Sequence, residues 1–314
     1  MEYVLVIALS VSFAVSANAS TLTEKLGYNP DDKLLILHAD DVGMSHSANK
    51  ATVQAFDKGT VTCGSIMVPC PWFPEIAAYC REHPKVDLGL HLTLTSEWKY
   101  YRWGPVASKD KVPSLLDEEG FLWRNTDQVR EHAKPEEVET ELRAQIERAL
   151  KFGVKPTHLD THMGTVFVGS QIFETYCRLG KEYGIPPMLP KPTPELMEYA
   201  KETGLAFSED SAAALQELGF PFIDTLVTGV GGGRSLEEKK ASYYAALRKL
   251  KPGVNQIILH LGMDDDEMRS ITNSHMARYN DYRIFTDPET QKLIDKLGIK
   301  LVGWKQIKDS AFDQ

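Results

Sequence analysis

Two adjacent carboxylates stand at the end of a short apolar run near the start of the chain. The run 34–39 has the length and composition of a buried strand, and it leads directly into Asp40 and Asp41, with Gly43 close behind. In α/β proteins the carboxyl ends of parallel strands are where the chemistry is usually placed. Two carboxylates there repel each other and resist desolvation unless a cation or a shared proton compensates them. The pair therefore predicts a metal site.

Histidines mark the ends of three further apolar runs. They are His91 in the run 86–92, His158 and His162 around Asp160 in the run that begins at 156, and His260 in the run 255–261. Four such runs, each ending in Asp or His, indicate that these ends converge in space. Because aspartate and histidine are ordinary ligands of divalent ions, the converging ends strengthen the metal hypothesis.

The elements that would position these side chains alternate between strand and helix. Apolar runs predict eight strands, at 34–39, 61–68, 86–92, 156–161, 185–189, 222–227, 255–261 and 299–303. Helical patterns lie between them, clearest from Pro135 to Phe152 and from Ser235 to Leu250, each with a start and a stop signal. Strands alternating with helices in this way predict an α/β fold, an irregular (β/α) barrel of the TIM-barrel kind. A doubly wound open sheet is the competing topology.

The segment 96–134 interrupts this alternation. It is rich in Trp, Tyr, Pro and charged residues, and it follows the third predicted strand. We interpret it as an aromatic-rich insertion, and insertions at the carboxyl end of a barrel often shape the binding cleft. Its side chains Trp98 and Trp103 are candidate contacts for a sugar ring. The alternative is a satellite hydrophobic cluster beneath a long loop.

Composition and charge argue against several classes of protein. The chain has 314 residues, of which 42% are hydrophobic and 25% charged, an ordinary globular composition. The formal net charge of −9, with no basic run interleaved with aromatics, argues against a nucleic-acid partner. The four cysteines contain no C-x-x-C pair, so a structural zinc site is not expected. They are interpreted as buried apolar side chains or, after export, as disulfide partners.

The first residues have the pattern of an export signal. An apolar stretch at 4–15 precedes an A-x-A cleavage site at 17–19, although the start carries Glu2 and no basic residue. The stretch is too short to span a bilayer stably. We therefore predict a signal peptide at 1–19, a single catalytic domain at 20–314, and export to the periplasm or the medium. Without cleavage the protein would be cytoplasmic.

Four sequence blocks resemble those of a known family, the YdjC-like carbohydrate deacetylases, which include the chitooligosaccharide deacetylases. The blocks are 38–45 (HADDVGMS) with Asn49, 59–62 (GTVT), 89–93 (GLHLT) and 155–162 (KPTHLDTH), in the family order. The resemblance covers most of the chain from Lys33 onward. It implies a (β/α)-barrel-like fold, one divalent metal ion, and hydrolysis of the N-acetyl group of an amino sugar.

The resemblance also implies roles for individual residues. By position, Asp41, His91 and His162 are the metal ligands. Asp40 is the general base, by analogy with the paired acids of other polysaccharide deacetylases, although either acid could play either part. His260 matches the place where those enzymes keep a general acid. Zinc or magnesium is the expected ion, with manganese, cobalt and nickel as alternatives.

Two histidines are candidates for the third metal ligand. Many members of the family have further histidines after the last block, whereas this chain has Met163, so His158 and His162 are the candidates. Period-2 alternation puts both on one face with Asp160 if the strand runs that far. His162 is nearer the carboxyl end and is the preferred ligand. His158 and Asp160 are then candidates for orienting a ligand histidine.

The predicted function is metal-dependent deacetylation, with an acetylated amino-sugar oligosaccharide as the partner; a homo-oligomer is left open. Hydrolysis of another bond, such as an O-acetyl ester, and a catalytically degenerate sugar-binding protein are the alternatives. Two histidines and one carboxylate also form the facial triad of non-haem iron oxygenases, but those enzymes are usually all-β. The sequence has no G-x-S-x-G motif to support a serine hydrolase.

Overall fold

The structure is a computed structural model that describes residues 20–230 and 235–312. The predicted signal peptide at 1–19 lies outside the described residues. In the part that is described, none of the helices combines the length and the apolar character needed to cross a membrane.

A parallel sheet forms the centre of the molecule. The described residues contain seven strands, which are β1 (Lys33–Val42), β2 (Cys63–Ile66), β3 (Leu88–Leu92), β4 (Leu159–Thr161), β5 (Thr225–Val227), β6 (Gly253–His260) and β7 (Ile299–Leu301). Their order is β4-β3-β2-β1-β6-β5, and β7 pairs with the amino-terminal half of β1. Every pairing is parallel, so the carboxyl ends of the strands meet at one edge of the sheet.

Helices connect and cover the strands. They are α1 (Leu22–Lys25), α2 (His46–Lys58), α3 (Phe73–Glu82), α4 (Thr126–His132), α5 (Pro135–Lys151), α6 (Ser170–Tyr183), α7 (Pro194–Thr203), α8 (Glu209–Glu217), α9 (Leu236–Lys249), α10 (Asp266–Ile271), α11 (His275–Phe285), α12 (Pro288–Lys296) and α13 (Trp304–Ile307). Both helices predicted from start and stop signals are confirmed. Pro135 opens α5, and Ser235 caps α9 in a capping box with Glu238.

The predicted strand at 185–189 is wrong. In the described structure this segment makes isolated bridges instead, one between Pro187 and Leu159 and one between Pro190 and Ile223. Proline cannot donate to a strand ladder, and the closely spaced prolines here prevent a regular strand. The two bridges nevertheless connect the β4 edge with the residues just before β5. The sheet is therefore curled, and the fold is an α/β fold of barrel-like form.

Alternation along β1 separates two hydrophobic regions. Leu35 and Leu37 pack against the helices in the larger core cluster. Leu34 and Ile36 face the other way and pack with Trp304 in a smaller cluster on the concave face of the sheet. Because successive strand residues alternate, the next side chains on the concave face are those of His38 and Asp40. The polar site is therefore a continuation of the inner core toward the carboxyl ends of the strands.

The backbone changes direction at the paired acids. Adjacent residues of a regular strand point to opposite faces, yet Asp40 and Asp41 both lie close to His91. Asp41 has a φ of 62°, in the left-handed region, and the pairing of β1 with β2 is irregular here. Aspartate tolerates this conformation better than most residues, at a cost of about 1–3 kcal/mol. The left-handed turn lets both carboxylates reach one site.

The cysteines are side chains of the core. Cys63, Cys70, Cys80 and Cys177 are all buried and free in the described structure. Burial raises the pKa of every one of these thiols, to about 12 for Cys80 and Cys177. They therefore stay protonated and pack as small apolar groups, in agreement with the first of the two interpretations.

Candidate metal centre

Three side chains from different strand ends bring one ligand atom each to a common point. Asp41 Oδ1 lies 3.4 Å from His91 Nε2 and 3.2 Å from His162 Nδ1. The two imidazole nitrogens are 3.3 Å apart. All three residues are buried, at 1%, 2% and 5% exposure respectively. The three atoms thus form a nearly equilateral triangle in a buried part of the structure.

The triangle fits a metal ion. A tetrahedral zinc ion about 2.0–2.1 Å from each ligand separates its ligand atoms by roughly 3.3 Å. Asp41 Oδ1 is buried and has no hydrogen-bond partner among the described residues. A buried carboxylate oxygen without a partner is costly. A divalent ion bound by one carboxylate and two imidazoles would satisfy it and leave further coordination positions free.

Asp160 and Ser65 orient His91. Asp160 Oδ1 accepts a hydrogen bond from His91 Nδ1–H at 2.8 Å. The Ser65 hydroxyl donates to the other carboxylate oxygen of Asp160 at 2.9 Å. With Nδ1 donating to Asp160, Nε2 is the nitrogen of His91 that faces the triangle and can bind a metal ion. This is the carboxylate–histidine arrangement found around many metal ions. The sequence predicted an orienting part for Asp160, and the structure places it in contact with His91.

Glu97 orients His162 in the same manner and was not found from the sequence. Its Oε2 lies 3.1 Å from His162 Nε2, so the Nε2–H donates outward and Nδ1 faces the triangle. Glu97 belongs to the irregular segment after β3, which has no periodicity to point to a functional residue. Glu97 could have been sought on chemical grounds, because a histidine that binds a metal through one nitrogen usually donates its other N–H to a second group.

Replacing Glu97 with glutamine is expected to weaken metal affinity by about 10–100-fold, as for other groups that orient a ligand histidine. Glutamine keeps a hydrogen-bond acceptor for His162 but loses the charge, whereas alanine loses both. Metal affinity should therefore be lower in Glu97→Ala than in Glu97→Gln. A competition titration with a metal-sensitive dye measures the change. Glu118→Gln, on an exposed side chain of the same segment, is the matched control. Wild-type affinity in Glu97→Ala would contradict the assignment.

Arg278, on α11, is the second residue that the sequence did not reveal. Its Nη2 donates to Asp41 Oδ2 at 2.7 Å, and it is 7% exposed. Burial alone would raise the pKa of the Asp41 carboxyl, but Arg278 and the two nearby histidines outweigh it and hold that pKa well below its usual range. Asp41 is therefore ionised at neutral pH, with Oδ2 held by Arg278 and Oδ1 left for a metal ion.

Metal binding is expected to release protons. Burial would lower the pKa of His162, but Glu97 and Asp41 outweigh it and raise the pKa to about 9. Burial also opposes protonation of His91, yet Asp160 above all holds the pKa of His91 well above its usual value. His162 is thus protonated in the metal-free protein at neutral pH, and the pKa of His91 is shifted in the same direction. A metal ion must displace the protons on its ligand nitrogens, so affinity should rise with pH, by about tenfold per unit for each proton released.

Calorimetric titration with zinc, in buffers of different ionisation enthalpy, counts the protons released. The expected count at pH 7 is at least about one. For His162 the pH dependence should level off as the pH passes about 9. A count of zero at pH 7 would contradict the charge arrangement at the centre.

Asp40 and His260 lie beside the triangle. Asp40 Oδ1 accepts a hydrogen bond from His38 Nδ1 at 2.7 Å, and Asp40 Oδ2 lies 3.8 Å from His91 Nε2. His260 Nε2 is 4.0 Å from Asp40 Oδ2, and its side chain is 46% exposed. Asp40 thus presents one free carboxylate oxygen next to the proposed metal position. His260 stands at the rim, where a substrate can reach it.

The structure separates the two histidines left open as the third ligand. His162 lies in the triangle. His158 is fully buried, and its Nε2 is 2.7 Å from His38 Nε2. That separation is a hydrogen-bond length and is shorter than the roughly 3.3 Å between ligands on one tetrahedral zinc ion. His158 therefore contacts His38 and does not reach Asp41 or His91.

The two predicted aromatic contacts differ in position. Trp98 is half-buried, and the Arg278 guanidinium lies 5.7 Å from its ring centroid. Trp103 is 3% exposed, donates its indole N–H to Thr95 O at 2.9 Å, and belongs to the main core. A buried indole has no free face for a sugar, so the structure does not support direct substrate contact by Trp103. Trp103 instead packs edge-on toward His162.

Known proteins resemble this chain along most of its length. Residues 34–296 match a family model described as YdjC-like protein. A carbohydrate deacetylase of Thermus thermophilus is 32% identical over 296 residues, which cover 93% of this chain and 99% of that protein. A chitooligosaccharide deacetylase of Serratia marcescens is 30% identical over 177 residues, which cover 55% of this chain and 65% of that protein.

A solved structure has the same fold. It comes from Enterococcus faecalis and is provisionally described as a cellobiose-phosphate cleavage protein. It superposes with a TM-score of 0.73 and 24% identity, covering 88% of this chain and 99% of that chain. At this level of identity the likeness concerns the fold alone, and it supports an α/β fold with a curled parallel sheet.

Proposed function

The chain belongs to the YdjC-like protein family, and on that premise we propose that it is a metal-dependent carbohydrate deacetylase that removes N-acetyl groups from amino-sugar oligosaccharides. The observation that carries the proposal is the triangle of Asp41, His91 and His162 with Asp40 at its side. Carbohydrate deacetylases among its relatives supply the substrate class. The triangle supplies a binding place for a divalent ion, which would activate a water molecule for amide hydrolysis at neutral pH.

The residues of the chain divide the chemistry between them. A bound divalent ion lowers the pKa of a water ligand and polarises an acetyl carbonyl. Asp40 accepts the proton of the attacking water through its free Oδ2. His260, at the exposed rim, gives a proton to the departing amine, which is otherwise a poor leaving group. Asp160 and Glu97 keep the two ligand histidines in the correct tautomer.

Zinc is the proposed ion. Two imidazoles and one carboxylate, with ligand atoms 3.2–3.4 Å apart, suit its small tetrahedral coordination. Magnesium prefers oxygen ligands and octahedral geometry, so the histidines argue against it. Cobalt and nickel accept imidazole ligands, whereas manganese favours oxygen ligands; these three ions are the alternatives that metal add-back separates.

We further propose that the curled sheet is an irregular (β/α) barrel and that 96–134 is an insertion that covers its carboxyl end. The bridges around Pro187 and Pro190 support the first statement, because they approach closure of the ring. Glu97 and Trp98 support the second, because this segment reaches His162 and Arg278. Deleting a loop of this segment should therefore change substrate affinity.

The test is acetate release from N-acetylglucosamine oligomers by the purified protein, with and without chelator and with each metal restored. Release that stops with chelator and returns with metal supports the proposal. A parallel panel of O-acetylated sugars distinguishes amide from ester hydrolysis. If the protein binds oligosaccharide but releases no acetate from either panel under any metal, the enzymatic assignment is wrong.

A further inference from the structure

A continuous chain of hydrogen bonds, buried except at its far end, leads away from Asp40. Asp40 Oδ1 is 2.7 Å from His38 Nδ1, and His38 Nε2 is 2.7 Å from His158 Nε2. His158 Nδ1 is 3.0 Å from the Thr157 hydroxyl, which is 2.6 Å from Asp87 Oδ1. Asp87 and Thr157 precede β3 and β4. The chain therefore runs from the amino end of the sheet to its carboxyl end.

The far end of this chain fixes the direction of donation. Burial raises the pKa of Asp87, but both of its oxygens face donors, as a carboxylate requires: Oδ2 accepts from the backbone N–H of Lys305 at 2.8 Å, and Oδ1 accepts from the Thr157 hydroxyl. A threonine hydroxyl has a single proton. Its oxygen must then accept from His158, so His158 Nδ1 carries a proton. Burial and the neighbouring His38 hold the pKa of His158 well below its usual value, so its Nε2 is bare.

The hydrogen-bond direction at His158 also determines the protonation of His38, the next residue toward Asp40. Since His158 Nε2 is bare, the proton in the contact with His38 belongs to His38 Nε2. Burial would lower the pKa of His38, but the carboxylates of Asp40 and Asp160 outweigh it and raise that pKa. Each ring nitrogen of His38 thus lies 2.7 Å from an acceptor, Nδ1 from Asp40 Oδ1 and Nε2 from the bare Nε2 of His158, so both nitrogens carry protons. The buried charge is compensated by Asp40 and by Asp160, whose Oδ2 lies 3.6 Å from His38 Nε2.

We propose that Asp87, Thr157 and His158 are positioning residues that keep His38 protonated at Nε2 as well as at Nδ1, so that the hydrogen-bond donor to Asp40 is a charged imidazolium. In this arrangement His38 holds Asp40 Oδ1, and Asp40 Oδ2 stays free for the reaction. The significance for catalysis rests on the proposed function, whereas the direction of the hydrogen bonds does not.

The surroundings of His158 are built for this contact. A Cβ atom on Gly89 would lie 2.6 Å from His158 Nδ1, so glycine is required for the ring to sit where it does. On the other side, Trp304 stacks on His158 with centroids 5.0 Å apart and an interplanar angle of 21°. Trp304 is held by its indole N–H, which donates to Gln256 Oε1 at 2.8 Å. Gly89 and Trp304 together thus fix the orientation of His158.

The ring nitrogens report the direction of donation. In the full chain, loaded with zinc and labelled with 15N at histidine, long-range 1H–15N spectra distinguish the two neutral tautomers from the doubly protonated ring. Signals are assigned with His38→Gln and His158→Gln. The expected wild-type result at pH 7 is a neutral His158 protonated at Nδ1 and a doubly protonated His38. A His158 protonated at Nε2 would overturn the proposal.

The variant Asp87→Asn should reverse the hydrogen bonds between residue 87 and His38, while His38 Nδ1 still donates to Asp40. The amide oxygen must accept from the Lys305 N–H, so the amide NH2 faces Thr157 and donates to it. Thr157 then donates to His158 Nδ1, His158 becomes protonated at Nε2, and His38 becomes neutral. A folded Asp87→Asn protein with unchanged signals from both histidines would overturn the proposal.

Thr157 provides an independent test if Asp87→Asn fails to fold. Thr157→Ser keeps the hydroxyl and should leave both histidine signatures as in the wild type. Thr157→Val removes the acceptor of the Nδ1 proton, so His158 should change to the tautomer protonated at Nε2. Identical spectra for the serine and valine variants would overturn the proposal.

Turnover adds a functional readout. In Asp87→Asn, kcat should fall by at least about tenfold with KM unchanged, because Asp40 loses its charged donor while the substrate contacts remain. An unchanged kcat alongside reversed tautomers would overturn the catalytic significance of the chain. If wild-type protein shows no turnover, the proposed function fails, and the spectra still decide the direction of donation.

Discussion

Replacing His162 with alanine is expected to abolish tight metal binding and, with it, acetate release. His162 supplies one corner of the triangle, 3.2 Å from Asp41 Oδ1 and 3.3 Å from His91 Nε2. Losing a ligand should cost more than the roughly 10–100-fold caused by losing a group that only orients one. Metal content by elemental analysis after dialysis, and affinity by competition titration, measure the effect.

His158→Gln is the comparison that gives this result its meaning. Both residues belong to the same sequence block, and from the sequence either could be the third ligand. His158 lies against His38 and Trp304, away from the triangle, so His158→Gln should retain about one metal ion per chain. The assignment is wrong if His158→Gln loses the metal and His162→Ala keeps it.

Asp41 is a less suitable residue for the same test. Its removal would leave the Arg278 guanidinium buried without its carboxylate, and breaking a buried ion pair in this way costs about 3–5 kcal/mol. A loss of metal in Asp41→Ala would then be difficult to separate from partial unfolding. His162 has its second contact with Glu97, which is partly exposed, so its truncation leaves a less costly group behind.

The positions of the site residues along the sequence were largely predictable. Parallel strands bring their carboxyl ends to one edge, and the apolar runs that end at Asp40, His91 and His260 correspond to β1, β3 and β6. Helix start and stop signals likewise gave the bounds of α5 and α9 to within about a residue. In each case the relevant information is local, because a few adjacent residues determine where a strand ends or a helix is capped.

The partners of these residues were not predictable, since they depend on contacts between distant segments. Arg278 reaches Asp41 from a helix more than 200 positions later, and Glu97 lies in a segment without periodicity. The left-handed φ of Asp41 was also hidden, because alternation along a regular strand predicts that adjacent carboxylates diverge. The burial of Trp103 was not predictable either, because an indole buried against the core has the same sequence pattern as one exposed in a cleft.

Replacing Asp40 with asparagine is expected to lower kcat by about 10²–10⁴-fold, the usual contribution of a general base, with metal content unchanged. Asparagine has nearly the same shape, and its amide oxygen can still accept from His38, so the chain of hydrogen bonds behind it is preserved. The lost property is the basic Oδ2 beside the metal position. Steady-state kinetics and elemental analysis on the same preparation separate the two effects.

This variant also decides which of the two adjacent acids plays which part. Asp41 Oδ1 forms the triangle and Asp40 Oδ2 stands 3.8 Å from His91 Nε2, so only Asp41 should be needed for the metal. Asp266→Asn, on a fully exposed carboxylate at the start of α10, should change neither quantity. If Asp40→Asn loses its metal, Asp40 is a ligand and the roles of the pair are exchanged. If it keeps both metal and turnover, the proton of the attacking water goes elsewhere, and His260, 4.0 Å from Asp40, becomes the base to test.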